Sequence, residues 1–372
     1  MSIKVLHVVC GDENGGASKG ALYLHKCLLK NGVNSKILFQ SKDVREPTKI
    51  KDVYYYKKTY YEKFIHYLYK IIFKIIYNLV FFKSYKFIFT TGLYGVNLKK
   101  YKLFKEANII HLHSVNDFLS FDLIKSIKKP LVWTIRDMWM MTGGCHVPNF
   151  FNCKNYKSNC HNCYQLNSKI KFDPSFYLHK IKRKFIKDKK NITYTAISDH
   201  IKKEFQITYN KEINRIYNLT DQENFYCENS NNIKKLLNIN TSKKIILFGA
   251  QRISDPLKGS QYLEKIISKL NPKKYFIISF GVNDKIDLAK YNFDHKNFGE
   301  VNDVNYLRKI YSISNLFLCT SIGESFGKTV LESLLCSTPV VAFDVFGVNE
   351  IIVHRKNGFL AQPFKIDDYI SG

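Results

Sequence analysis

The sequence contains little proline, few acidic residues and no long uncharged stretch. Of its 372 residues only 8 are proline and 18 are glycine, whereas 45% are hydrophobic, and this composition excludes disordered and fibrous proteins. The longest stretch without Asp, Glu, Lys or Arg is 138–153, whereas a membrane span needs about 20 mainly apolar residues. The sequence therefore predicts a globular protein without a transmembrane helix.

The N-terminus lacks the features of an export signal. Its first apolar residues run directly into Gly11-Asp12-Glu13, without the apolar core and small-residue cleavage site of a signal peptide. The nine cysteines are an odd number, and in a chain without an export signal we expect them to be reduced thiols. These features predict a cytoplasmic protein.

Acidic residues are far outnumbered by basic residues. The chain has 58 Lys and Arg against 31 Asp and Glu, which gives a net charge of +27. Such an excess favours an anionic partner: a nucleic acid, a membrane surface or a phosphorylated substrate. Charge by itself does not choose among these partners.

Apolar strands alternate with helices through both halves of the chain, which is too long for one core. Strands are predicted at 3–9, 36–40, 108–112, 131–135 and 192–197, and again at 244–248, 275–280, 315–319, 339–343 and 359–362. Helices are predicted between or after them, among them 118–127, 200–205, 259–270 and 327–336. Such alternation favours open parallel sheets, which bind ligands at the carboxyl ends of their strands. We expect two Rossmann-like α/β domains, 1–220 and 221–372, whose parallel sheets face each other across a cleft.

An amphipathic helix is predicted in the Tyr-, Phe- and Lys-rich segment 54–102. Its apolar side chains follow a helical period: Phe64, Leu68, Ile71, Ile72, Ile75 and Leu79. Lys63, Lys70 and Lys74 interrupt this stripe. Two interpretations remain open: the helix covers the first sheet with its lysines in water, or it lies at an anionic membrane surface.

Two carboxylates and a glycine mark the start of a predicted helix in the second half. Glu324 lies just before the helix that begins near Gly327, and Glu332 lies within it. The free amides of a helix N-terminus suit a diphosphate, and glycine lets the backbone approach it closely. Glu332 would then accept hydrogen bonds from sugar hydroxyls. Carboxylates at this spacing are also common on solvated helices.

Two cations follow a predicted strand of the second half. Arg252 and Lys258 lie in the loop after 244–248, where a planar guanidinium and a mobile ammonium would together neutralise a diphosphate leaving group. Both are otherwise ordinary surface charges of a basic chain. Gly15 and Gly16 follow the first strand and would approach the same diphosphate from across the cleft. They form no GxGxxG sequence, so a nicotinamide cofactor is not supported.

Several blocks in fixed order resemble glycosyltransferase family 4, a family of retaining enzymes with the two-Rossmann-domain GT-B architecture. The resemblance is to its bacterial exopolysaccharide and capsule members. It covers most of the chain and rests on Gly15-Gly16-Ala17, His111-Leu112-His113, 133–146, Phe248-Gly249-Ala250, Lys258-Gly259, 324–332, 339–343 and 357–361. Together these blocks are far more specific than any one of them.

The resemblance implies transfer of a sugar from a nucleotide diphosphate sugar to a glycan or lipid-linked glycan, without a divalent metal for the chemistry. The first domain would bind the acceptor and the second the donor, at the inner membrane surface. The residues implied in donor binding are Gly15, Gly16, Arg252, Lys258, Ser325, Phe326, Gly327, Thr329 and Glu332; Glu324, Arg136 and Asp137 would be catalytic, and His113 and His146 would face the acceptor. The anomeric configuration would be retained by reaction on one face of the donor, so the protein would contribute positioning and charge stabilisation.

The chain departs from the family pattern at two places. Arg136 stands where the family often has a histidine; an arginine stays protonated and cannot act as a base, but it can bind a phosphate or a carboxylated sugar. Family members also usually continue beyond the position that matches Gly372. The resemblance therefore predicts a C-terminally truncated chain.

Four cysteines lie close together in sequence: Cys145, Cys153, Cys160 and Cys163. Four thiolates would form a closed, structural zinc site, although only Cys160 and Cys163 have the two-residue spacing of a metal knuckle. The alternative is a set of reduced, buried thiols.

Two histidines at the end of a predicted strand also allow two interpretations. His111 and His113 are either ligand-binding groups at a strand end or imidazoles with a purely structural role.

Two other functions compete with glycosyl transfer. A sugar-nucleotide epimerase of similar architecture would share the diphosphate site, but the block 324–332 favours the transferase. A nucleic-acid-binding protein would use the net charge and a zinc module. Its lysines would cluster on one face beside aromatic residues, whereas here they are spread along the whole chain.

Overall fold

The computed structural model describes residues 3–41, 50–80, 87–283 and 286–372, with the side chains of 76–80 and 230–231 excepted. The Leu79 side chain, predicted to belong to the apolar stripe of the helix in 54–102, therefore lies outside the described residues. The chain divides into two compact units, Met1–Leu219 (unit 1) and Thr220–Gly372 (unit 2). No helix in the described ranges combines the length and apolar character needed to cross a bilayer.

Unit 1 is built on a parallel sheet of seven strands. The strands are β1 (Lys4–Val9), β2 (Asn34–Phe39), β3 (Val53–Tyr55), β4 (Ile109–Leu112), β5 (Leu131–Ile135), β6 (Ile192–Ala196) and β7 (Asn214–Arg215). They lie in the order β3-β2-β1-β4-β5-β6-β7. The direction of winding therefore reverses between β1 and β4, and in such sheets the crevice at this reversal binds ligands.

The helices of unit 1 connect these strands. They are α1 (Gly16–Lys30), α2 (Tyr60–Val80), α3 (Lys102–Glu106), α4 (Phe121–Lys125), α5 (Pro174–Asp188) and α6 (Asp199–Tyr209). Helix α4 is shorter than the predicted 118–127 because Ser120 caps its start, its hydroxyl accepting from the backbone N–H of Leu123 at 3.3 Å.

Unit 2 repeats the same winding with six strands. They are β8 (Lys244–Arg252), β9 (Tyr275–Val282), β10 (His295–Asn297), β11 (Leu316–Cys319), β12 (Val340–Phe343) and β13 (Gly358–Ala361), in the order β10-β9-β8-β11-β12-β13. The helices are α7 (Ser230–Leu236), α8 (Ser260–Ile267), α9 (Val304–Ser312), α10 (Lys328–Leu335) and α11 (Ile366–Ser371). The reversal falls between β8 and β11.

The strands are apolar on both faces because helices cover both faces of each parallel sheet. Ile245, Leu247 and Ile277 are fully buried in the core of unit 2, as are Ile37 and Phe39 in unit 1. The prediction of two α/β units with parallel sheets is confirmed. The short edge strands β3, β7 and β10 have half-buried or exposed residues, which is why the apolar pattern did not reveal them.

Candidate functional site

The central feature of unit 2 is a close ion pair at the carboxyl ends of β8 and β11. Lys258 Nζ lies 2.5 Å from Glu324 Oε1, which also accepts a hydrogen bond from the Ser321 hydroxyl at 2.9 Å. Burial by itself would lower the pKa of Lys258, but the charge of Glu324 outweighs it and raises this pKa above its ordinary value. The lysine therefore stays charged at the point where this sheet reverses its winding.

The backbone around Lys258 permits no side chain at the next residue. Gly259 has a φ of 67°, and a Cβ there would lie 2.0 Å from the carbonyl oxygen of Thr320. The Thr320 hydroxyl donates to the carbonyl of Lys258 at 2.8 Å. The Thr320 hydrogen bond and the close approach of Gly259 hold the loop after β8 against the loop after β11, where Lys258 meets Glu324.

The segment between Glu324 and α10 has the form of an anion cradle. Ser325 is half-buried, Phe326 is buried, and Gly327 is the N-cap of α10, with a φ of 92°. Thr329 in the first turn lines a cavity of about 20 Å³ together with Lys258 and Ser321. Free backbone N–H groups and a nearby ammonium group make such a place suitable for phosphate oxygens.

Glu332 and Arg252 lie differently from the ion pair. Glu332 is only 3% exposed; one oxygen lies 2.9 Å from Lys328 Nζ and the other accepts from the Tyr311 hydroxyl at 3.4 Å. Arg252 ends β8 and is exposed. A ligand would therefore contact Arg252 and Lys258 directly. It would contact the buried Glu332 carboxylate only if the Lys328 side chain moved away from it.

In unit 1, Arg136 is a buried cation at the carboxyl end of β5. It is 8% exposed, and burial lowers its pKa to about 10. Its Nη1 donates to Asn218 Oδ1 at 2.8 Å, and its Nη2 lies 3.1 Å from His113 Nδ1. Among the described residues no carboxylate pairs with Arg136. Its guanidinium group is hydrogen-bonded to neutral acceptors instead.

The acceptor for Arg136 belongs to a chain of imidazoles on one face of the sheet. His7 is paired in register with His111 of β4, and His113 directly follows β4, two residues beyond His111, so that it lies on the same face. His113 Nε2 lies 2.9 Å from His7 Nδ1, and His111 Nε2 lies 2.8 Å from the Thr134 hydroxyl. Burial lowers the pKa of all three rings, that of His111 to about 3, so they are neutral.

Nitrogen atoms of these three rings lie within 4.8 Å of one another, a spacing that a metal ion would require. Both nitrogens of His113 are nevertheless engaged, since Nδ1 accepts from Arg136 and Nε2 bonds to His7. A guanidinium group in direct contact also repels a cation. The array therefore holds Arg136 in place, and the sequence-based expectation that His113 faces an acceptor is not supported by its 1% exposure.

Asp137 and His146 form a second pair at the end of β5. His146 Nδ1 lies 2.8 Å from Asp137 Oδ2, and Asp137 Oδ1 accepts from the backbone N–H of Trp139 at 2.9 Å. Burial opposes ionisation, but His146 and the backbone N–H of Trp139 lower the pKa of Asp137 on balance. The pair is partly exposed and remains accessible to a ligand.

Residues that the sequence did not single out complete this surface. Asn116 Nδ2 lies 3.4 Å from His146 Nε2. Asp117 follows with a φ of 55°, burial raises its pKa, and its buried Oδ1 has no hydrogen-bond partner. The sequence offers only the residue types Asn116-Asp117, which tolerate such a positive φ better than other non-glycine residues. Gly15 caps α1 and Gly16 is its first residue, in the loop after β1.

A basic cavity adjoins α2 in unit 1. It has a volume of about 470 Å³ and is lined by Gln40, Ser41, Tyr56, Lys57, Lys58, Lys63, His66 and Lys70. Burial, followed by the charges of Lys58 and Lys70, lowers the pKa of His66 to about 4. Its described lining residues include four ammonium groups and no carboxylate, a charge balance that favours an anion.

Helix α2 exposes an apolar face beside the basic cavity. Tyr60 is 91% exposed, Phe64 57% and Ile72 55%. At 100° per residue these side chains and Ile75 lie on one face, and Lys63, Lys70 and Lys74 lie along one border of it.

The four clustered cysteines surround one cavity of about 20 Å³. We call Cys145, Cys153, Cys160 and Cys163 the cysteine cluster. Cys145 and Cys160 are buried and Cys153 and Cys163 are partly buried. Burial raises the pKa of each thiol, to about 12 for Cys160 and about 11 for Cys163.

Both units thus have a parallel sheet whose winding reverses once, and unit 2 places the Lys258–Glu324 ion pair at its reversal point. The family model of glycosyl transferases group 1 matches residues 229–372, so this part of the chain is similar to that family. The chain as a whole has the GT-B fold of glycosyltransferases.

Among curated proteins, the chain is similar to N-acetyl-alpha-D-glucosaminyl L-malate synthase of Bacillus anthracis, with 26% identity over 181 residues. The alignment covers 45% of this chain and 45% of that enzyme, so the chain matches less than half of the relative's length.

Two solved structures extend the likeness of fold to nearly the whole chain. Anabaena Alr3699/HepE in complex with UDP-glucose matches 99% of this chain and 88% of its own, with a TM-score of 0.63 and 15% identity. WaaG, a glycosyltransferase involved in lipopolysaccharide biosynthesis, matches the same shares with a TM-score of 0.63 and 13% identity.

Proposed function

We propose that this chain is a retaining glycosyltransferase that moves a sugar from a nucleotide diphosphate sugar to a lipid-linked glycan in surface polysaccharide synthesis. The observation that carries the proposal is the Lys258–Glu324 pair at the winding reversal of unit 2, inside the family-matched region. Support for a nucleotide-sugar donor also comes from the UDP-glucose complex of the structurally similar HepE.

The chemistry assigned to unit 2 follows from its charges. Lys258 and Arg252 would neutralise the diphosphate as it leaves, which is the step where negative charge develops. Glu324, held by Lys258 and Ser321, would contact the donor sugar. Retention would follow if the leaving phosphate takes the acceptor proton on the same face, so that the protein mainly positions the reactants.

The basic cavity of unit 1 supports an acceptor that carries phosphate. Its four lysines and His66 would bind a phosphate group through charge-assisted hydrogen bonds. The exposed apolar face of α2, bordered by lysines, fits the interfacial zone of an anionic bilayer on the cytoplasmic side. A phosphate-containing lipid-linked glycan combines both chemistries, because its lipid lies in the membrane and its phosphate at the surface.

The first test is a thermal-shift screen of the full chain with nucleoside diphosphates and their sugar conjugates. A ligand at 100 times its Kd stabilises the folded state by about 2.7 kcal/mol, so we expect one nucleotide series to raise the Tm. If no nucleotide shifts the Tm of the folded protein, the proposal is wrong.

The second test uses Lys258→Ala and Glu324→Gln. Each should lower turnover of the identified donor at least tenfold, about 1.4 kcal/mol of transition-state stabilisation, with the circular dichroism spectrum unchanged. Lys269→Ala is the matched control, since Lys269 pairs with Asp367 at the same 2.5 Å on the surface of the same unit. Full turnover in both site variants would remove the ion pair from the mechanism.

A further inference from the structure

The cysteine cluster has no role in the proposed transfer chemistry, yet it brings four possible metal ligands together. Its four sulfur-bearing side chains come from three separate turns between Cys145 and Cys163, yet all four line the same small cavity. Among the nine cysteines, Cys27 and Cys227 are exposed and stand apart from it. Four cysteines around one cavity are the ligand set of closed, structural zinc sites.

Backbone amides are directed at the sulfurs of this cluster. The N–H of Gly143 donates to Cys160 Sγ at 3.2 Å. The backbone N–H of Val147, Asn155 and Leu166 opposes the rise in pKa that burial causes at Cys145, Cys153 and Cys163, respectively. Amide donors of this kind stabilise a thiolate and orient it, and such outer partners accompany metal-bound sulfurs.

A buried cation lies near the cluster. Lys182 of α5 is fully buried, donates to the carbonyl of Trp139 at 2.6 Å and lies over the Trp139 ring, 3.7 Å from its centroid. Burial lowers the pKa of this ammonium group to about 7, whereas negative charge on Cys160, Asp137 or Cys145 raises it. A zinc ion with four thiolates carries a net charge of −2, which a neighbouring cation partly offsets.

We propose that the cysteine cluster binds one Zn²⁺ ion as a closed, tetrahedral structural site. Four thiols exchange four protons for the ion and form four Zn–S bonds, without any redox step. The three histidines His7, His111 and His113 are the only possible metal ligands among the described residues whose ligand atoms already lie within 4.8 Å of one another. The four sulfurs lie further apart than this, so they must move inward from the cavity wall to bind zinc at a Zn–S distance of about 2.3 Å. The ion would fix the irregular segment 143–175 and so the loop that carries His146.

The test is the metal content of the full chain, purified under reducing conditions without a polyhistidine tag. We expect about one zinc per chain by inductively coupled plasma mass spectrometry, a stoichiometry that follows from one closed site. Replacing zinc with Co²⁺ should give the intense visible absorption of a tetrahedral ion and a sulfur-to-cobalt charge-transfer band. Absence of zinc together with absence of these bands after reconstitution would overturn the proposal.

Variants identify the ligands. Cys153→Ser and Cys160→Ser should lose zinc, whereas the exposed-thiol controls Cys27→Ser and Cys227→Ser should keep it. His161→Gln should also keep it, although His161 lines the same cavity. Retention of zinc in both cluster variants, or its loss in His161→Gln alone, would contradict a four-thiolate site. The wild-type measurements stand if a cluster variant fails to fold.

Discussion

At the scale of single residues, the positioning of Arg136 depends on the absence of a side chain at Gly20 in α1. A Cβ at Gly20 would lie 2.2 Å from Asn218 Oδ1 and 2.5 Å from Arg136 Nη1. These two atoms are hydrogen-bonded to each other at 2.8 Å, so neither is free to move. The helix thus approaches the buried guanidinium closely enough to exclude a methyl group.

We expect Gly20→Ala to lower the free energy of unfolding by about 1–3 kcal/mol, because the clash exceeds the gain in helix propensity. Gly16→Ala is the control in the same helix, since a Cβ there meets nothing within 4 Å. It should be neutral or stabilise by up to about 1 kcal/mol. Chemical denaturation measures both, and equal stability of the two variants would contradict the packing around Arg136.

The neutral imidazole array makes the fold sensitive to acid. The folded pKa of His111 lies at about 3 because of burial and Arg136, below its ordinary value of about 6.5. Unfolding therefore takes up a proton: the stability from this ring is present above pH 6.5 and is lost as the pH falls towards 3. His7 and His113 act in the same direction.

We expect His111→Gln to reduce the pH dependence of unfolding between pH 6 and 4, by up to about 1.4 kcal/mol per pH unit. His295→Gln replaces an exposed histidine and should leave the dependence unchanged. Urea denaturation at several pH values measures the slopes. Parallel slopes for His111→Gln and the wild type would show that His111 is not held neutral.

At the scale of elements, α2 exposes apolar side chains that most surface helices bury. Lysines border this apolar face, and each lysine near an anionic lipid surface contributes about 1 kcal/mol of attraction. This border favours an anionic membrane over a neutral protein partner. Under the proposed membrane role, the apolar residues would supply the rest of the affinity by entering the interfacial zone.

We expect the full chain to co-sediment with vesicles that contain phosphatidylglycerol and not with phosphatidylcholine vesicles. Phe64→Ser with Ile72→Ser should weaken this binding at least tenfold, about 1.4 kcal/mol, because two apolar side chains leave the interface. Leu236→Ser with Val353→Ser is the control, as both residues are exposed elsewhere. Equal loss in the two double variants would contradict a specific role of α2.

At the scale of the whole molecule, unit 2 has its own core and its own candidate site. Its hydrophobic core, the Lys258–Glu324 pair and the adjoining cavity all lie within 220–372. We expect a fragment of these residues to fold, to unfold cooperatively, and to show the same nucleotide-dependent rise in Tm as the full chain. A folded fragment without that response would mean that donor binding requires residues of unit 1.

Much of the fold could be predicted because backbone structure follows local patterns. Strand β5 has the predicted bounds, since its apolar run ends at Pro130 on one side and Arg136 on the other. Helix α5 was not predicted: it buries Lys182, and a lysine carries no sequence signal of burial in a chain with 58 Lys and Arg. The likeness of the sites to a known family depended on several short blocks, none of which is specific alone.

The sequence by itself determined the two α/β units and placed most candidate residues at the carboxyl ends of strands, because periodicity and turn residues act over a few positions. Only the tertiary structure decided which side chains meet: Lys258 with Glu324, 66 residues apart, His146 with Asp137, and four cysteines around one cavity. Such pairings depend on which strand ends become neighbours and on loop geometry. Those distances are fixed by packing of the whole unit, which no local pattern in the chain encodes.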